Sequence, residues 1–110
     1  MSPGPISAEE ARGAAVQGRD GRPLGKLEDL LFDLDSGRVE YALVSRGQGE
    51  KLLAVPRDRL RFDAERRVVN ADEETLAAAP AFTRDELRGF PERVRAEIAA
   101  RFGRAVPGRR

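Results

Sequence analysis

Between Leu24 and Leu34 the apolar positions satisfy two periods at once. Leu27, Leu30, Leu31 and Leu34 fall at i, i+3, i+4 and i+7, the stripe of an amphipathic helix. Leu30, Phe32 and Leu34 also share one strand face, with Asp29 and Asp33 on the other. The flanks favour the strand: Pro23 and Gly25 open the segment, Asp35-Ser36-Gly37 closes it as a tight turn, and Val39 to Val44 follows with strand composition. A bulge near Leu30-Leu31 is expected, because it reconciles the doubled leucine with one buried face. A helix from Leu27 to Leu34 would undo this strand order.

The rest of the chain reads outward from this segment. Ser7 and Glu10 have capping-box spacing and predict a helical turn before Gly13. Residues 13–18 read as a first strand, and Asp20-Gly21 as a type I′ hairpin turn. Val39, Tyr41, Leu43 and Ser45 share one face of the next strand, with Ala42 and Val44 on the other, which predicts a strand buried on both sides. Residues 47–50 form a loop, Lys51 to Val55 a short strand ended by Pro56, and Pro56 to Leu60 a helical turn. Leu60-Arg61-Phe62 and Val68-Val69-Asn70 make a last hairpin. From Asp72 the pattern becomes helical. Asp72 caps a short helix that Pro80 ends, and Thr83 and Glu86 form a second capping box, with Gly89 as its stop. Pro91 opens a final helix that carries Val94, Ile98 and Phe102, ends at Gly103 and leaves a frayed tail from Val106. The fold class is mainly β, with about six short strands followed by short C-terminal helices.

In this frame the spacing Gly21-x-x-Leu24-Gly25-Lys26-Leu27-x-Asp29-Leu30, then Asp33, Gly37, Tyr41-Ala42-Leu43-Val44 and Leu53-x-Val55-Pro56-x-x-x-Leu60, resembles the PRC-barrel domain. That small β-barrel is shared by the cytoplasmic part of the photosynthetic reaction centre H subunit and the C-terminal half of a ribosome maturation factor. The resemblance spans residues 13 to 70, and residues 74–82 resemble the tail found after the barrel in stand-alone members. It implies an N-terminal segment (1–12), a barrel domain with its following helical turn (13–82) and a basic helical extension (83–110). The H subunit's membrane helix and the maturation factor's N-terminal β-domain have no counterpart in this sequence, so neither specific role carries over. The matching residues read as structural: Gly21 and Gly37 permit turns, Gly25 allows close backbone approach, and Pro56 ends a strand.

Composition narrows the chemistry. At 110 residues and 40% hydrophobic, the chain fits one domain with one core. It has neither cysteine nor histidine, which removes thiolate nucleophiles, Cys/His metal sites and the usual general base near neutral pH. No cofactor is implied, and a non-enzymatic protein is expected. Residues 1–6 lack a secretory pattern and no long apolar run occurs, so a soluble cytoplasmic protein is expected.

Charge is uneven: residues 1–83 carry 12 Lys/Arg and 15 Asp/Glu, or −3, and residues 84–110 carry 8 and 4, or +4. Asp33 to Gly37 fails the calcium-loop pattern, which requires a ligand at Gly37, glycine at Arg38 and glutamate at Val44. Glu28, Asp29 and Asp33 on a strand read as a solvated or arginine-paired face. Gly47-Gln48-Gly49 lacks the helix and lysine of a phosphate loop.

Two partner surfaces remain. Arg57, Arg59, Arg61, Arg66 and Arg67 are a candidate phosphate-contacting face, diluted by Asp58, Asp63 and Glu65 and short of exposed aromatics. Leu87, Phe90, Val94, Ile98 and Phe102 form an apolar stripe that packs on its own barrel or builds a homodimer. The leading expectation is a binding or assembly module that engages a protein partner and self-associates as a homodimer. Association with RNA or the ribosome through the arginine face is the alternative.

Overall fold

The computed structural model describes residues 7–47 and 51–102, and the ambiguous leucine segment is a strand in it. The expected loop at 48–50, the stop at Gly103 and the tail from Val106 lie outside the described residues. In chain order the elements are α1 (Ala8–Ala11), β1 (Ala15–Gln17), β2 (Pro23–Phe32), β3 (Val39–Ser45), β4 (Leu52–Pro56), a 3-10 turn (Arg57–Arg59), β5 (Arg61–Asp63) and β6 (Val68–Asn70). α2 (Glu73–Ala78), β7 (Ala81–Phe82), α3 (Arg84–Leu87) and α4 (Glu92–Phe102) follow.

The strands form one seven-stranded sheet in the order β5-β6-β1-β2-β3-β4-β7, antiparallel except where β1 runs parallel to β6. No pairing of β5 with β7 closes this sheet among the described residues. It still curls around a shared interior, because Val16, Leu27, Val44, Val55 and Val69, from five different strands, meet in one buried cluster with Leu76 of α2. The seventh strand is an addition to the expected six. Its two residues lie between Pro80 and Thr83, too short to show alternation, and pair with Leu52 and Leu53.

β3 is buried on both faces, as its pattern predicts. Ala42 and Val44 enter the interior cluster, and Tyr41 and Leu43 enter a second cluster on the opposite face. Leu52 and Ala54 of β4 join that second cluster, and α3 and α4 cover it with Leu87, Val94 and Ile98. The C-terminal stripe thus packs on the protein's own sheet: Val94 and Ile98 are fully buried within one chain.

Three local expectations change. The bulge in β2 falls at Glu28, since Leu27 faces Val44 and Asp29 faces Leu43. A second irregularity sits between Leu31 and Phe32, but its extra residue is Glu40 on β3. Phe32 and Leu34 are therefore not buried with Leu30: Phe32 ends the strand, Leu34 lies in the turn beyond it, and they are 47% and 94% exposed. The turn after β1 is not type I′, which needs positive φ at both central residues. Only Gly21 is left-handed (φ 81°), following a turn closed by Gly21 N–H donating to Gly18 O at 3.0 Å, while the Asp20 carboxylate accepts from Arg22 N–H at 3.1 Å.

Both capping boxes form. Ser7 Oγ accepts from Glu10 N–H (3.0 Å) and Thr83 Oγ1 from Glu86 N–H (3.1 Å), and each glutamate accepts in return from the cap residue's own N–H. Asp72 precedes α2, but its side chain makes no cap bond; it accepts instead from Arg19 Nε at 3.1 Å.

Candidate functional site

The carboxylates on and beyond β2 serve separate local purposes. Glu28, displaced outward by its bulge, accepts from Ser45 Oγ at 2.7 Å and pairs with Arg84 at 3.7 Å. Asp29 accepts from Leu30 N–H at 2.8 Å. The Asp33 carboxylate is engaged within its own turn by Asp35 N–H and the Ser36 hydroxyl, and Gly37 closes that turn at φ 76°. They do not converge on a common point.

The five candidate arginines are also divided. Arg57 and Arg59 lie in the 3-10 turn, and Arg61 lies on the strand after it. Arg57 lies over the Phe62 ring at 5.4 Å. Arg59 lies over Phe102 at 5.1 Å and donates to its carbonyl at 3.2 Å, which ties the 3-10 turn to the end of α4. Arg67 adopts φ 61° in the β5–β6 turn, and its charge helps lower the Glu10 pKa. Arg59, Arg61 and Arg66 do come together, in a polar cleft of about 700 Å³ that also receives Arg19. Arg19 is distant in sequence from the others, so no local spacing could have shown it. The expectation that exposed aromatics are lacking is corrected as well: Phe32 and Phe62 are both exposed.

A more apolar recess is a groove of about 620 Å³ between the β2–β3 hairpin and the α3–α4 junction. Leu31, Phe32 and Leu34 line one side, and Phe90 and Arg95 the other. Its geometry follows from local backbone choices. Gly89 and Phe90 both take positive φ (72° and 46°), which turns the chain sharply between α3 and α4. A left-handed phenylalanine is costly, and such residues persist only where their surroundings hold them. Here Tyr41 holds one side of the ring, with centroids 4.7 Å apart, and the Arg95 guanidinium lies 5.4 Å from its centroid.

Two residues of the groove lining also carry buried polar atoms. The bulge leaves Glu40 with no residue opposite it on β2. Glu40 Oε1 and Arg95 Nε are both inaccessible and have no hydrogen-bond partner among the described residues. Of the groove residues, Leu87 and Phe90 belong to the apolar stripe predicted from sequence. Glu40 and Arg95 are far apart in the sequence, and only the fold brings them to one recess.

Three carboxylates titrate low. Glu10 and Glu86 lie below the usual range chiefly because the N–H groups of Ser7 and Thr83 donate to their charged forms, and Asp20 because it accepts from Arg22 N–H. All three are structural caps or turns, outside both recesses. No group of three or more acidic side chains that could hold a metal occurs among the described residues, and no described helix is long and apolar enough to cross a membrane.

Comparison with known proteins gives one result. The sequence pattern of the PRC-barrel domain matches residues 4–76. No curated protein matches the chain.

Proposed function

Because the chain belongs to the PRC-barrel family, whose domains are generally non-catalytic binding modules, we propose that it engages a protein partner through the groove between Phe32 and Phe90. The occupant is an extended peptide segment of that partner carrying a large apolar side chain. The observation that carries this reading is the exposure of Phe32 and Leu34 (47% and 94%) on the rim of an apolar recess.

Covering such side chains contributes roughly 1.5–3 kcal/mol each, so a hairpin that presents both to water has a strong reason to acquire a cover.

The Leu87, Val94 and Ile98 stripe is already covered within the chain, so the groove is the better candidate for contact with another molecule. Affinity capture from native extract tests the reading by comparing the wild type with a Phe32→Ser/Leu34→Ser variant, with light scattering on both. A monomer that retains a protein only when the groove is intact supports it. Equal retention by the variant overturns it, and so does a dimer that the variant abolishes, because the occupant would then be a second copy.

A further inference from the structure

The arginine cleft lies in a different part of the molecule, between the 3-10 turn, the β5–β6 hairpin and the start of α2. Four arginines and two aspartates in its lining leave a formal surplus of +2. Two of the arginines are anchored: Arg19 on Asp72 at 3.1 Å and Arg59 on the Phe102 carbonyl at 3.2 Å. The guanidinium groups of Arg61 and Arg66 make no hydrogen bond or ion pair among the described residues. Arg61 comes from β5 and Arg66 from the turn after it, and Asn70, which faces Arg61 across the hairpin, joins the same lining.

We infer that this cleft binds the phosphate group of a small phosphomonoester, held by Arg61 and Arg66. Each guanidinium presents a planar fork of donors that matches two oxygens of one oxyanion. A phosphomonoester carries about −1.5 to −2 charge at neutral pH and three acceptor oxygens, which suits two open forks and the surplus of +2. A lone carboxylate brings one charge and two oxygens and occupies a single fork. The recess also differs from a nucleic-acid track. Arg57 and Arg67 do not line it, so its cations are gathered in one cleft and do not extend as a track along the whole arginine-rich stretch.

The test is titration of the full chain with inorganic phosphate and uridine monophosphate, with acetate as the carboxylate arm at matched ionic strength, read on the arginine Nε–H resonances. Saturable shifts at Arg61 and Arg66 with phosphate and the monophosphate, none with acetate, and affinity at least about tenfold weaker in Arg61→Gln/Arg66→Gln are expected. Both side chains are exposed, and a thermal melt of the double variant establishes that it is folded. Linear, unsaturated shifts, an equal response to acetate or an unchanged affinity in a folded variant would each overturn the inference. Binding of an RNA oligomer without binding of the mononucleotide would overturn it too. The Phe32→Ser/Leu34→Ser variant keeps phosphate binding if both readings hold, so failure at one recess does not imply failure at the other.

Discussion

The Phe90 ring packs against Tyr41 with centroids 4.7 Å apart and planes inclined by 46°. This contact joins a left-handed residue of the α3–α4 junction to the central strand β3, so one wall of the groove is fastened to the core. The other wall, bearing Phe32 and Leu34, projects beyond the packed part of the sheet. A recess with one fixed wall and one exposed apolar wall is suited to receive a segment from outside the chain.

Gly25 sits where no side chain fits, because a β-carbon there would run into the carbonyl oxygen of Ser45 on β3. The obstacle is backbone in a paired strand and cannot step aside. Gly25→Ala is expected to destabilise the protein by about 1–3 kcal/mol, read as a lower urea midpoint with unchanged slope.

Thr83 and Asp72 look alike as helix caps in the sequence but differ in the structure. Thr83 Oγ1 bonds the Glu86 amide, so Thr83→Ala should cost about 1 kcal/mol. Asp72 bonds no helix amide and meets Arg19 at the surface, so Asp72→Ala should cost less, within about 0–1 kcal/mol. Chemical denaturation of the two variants side by side checks the ranking.

Ile98 is 1% exposed within a single chain, which places it in the core and not at a contact between copies. Ile98→Ala should therefore cost about 2–5 kcal/mol, with a melting temperature independent of protein concentration. A concentration-dependent loss would assign the stripe to an intermolecular contact.

Much of this arrangement is legible in the sequence because it depends on short-range chemistry. The Ser7–Glu10 and Thr83–Glu86 boxes, the two-sided burial of β3 and the need for glycine at position 25 follow from local spacing or the family resemblance. Features that depend on register are hidden. The bulge at Glu28 and the extra residue Glu40 shift which side chains face outward, so an alternation count buries Phe32 and Leu34 wrongly. The arginines show a related limit. Sequence proximity groups Arg57 with Arg59 and Arg61, but only Arg59 and Arg61 reach the cleft, and Arg19 joins them through the pairing of β1 with β6.

The capping glutamates predict an acid response. Glu86 titrates below the usual range in the folded state because the Thr83 N–H stabilises its charged form, so the unfolded chain takes up its proton first as pH falls. The stability it supplies is complete above the unfolded value and is lost as pH drops through the folded one. Thermal melts should show wild type above Glu86→Gln at pH 7, with the difference closing below about pH 4. A constant difference across that window would show that the carboxylate charge plays no part.

The most direct test of the groove as a partner site is photo-crosslinking from a benzophenone side chain at position 34. Leu34 is 94% exposed, so the substitution leaves the fold intact. The expected product in native extract is an adduct with another protein, which Phe32→Ser in the same chain strongly reduces. An adduct only with a second copy of the chain, or one unaffected by Phe32→Ser, would contradict the account.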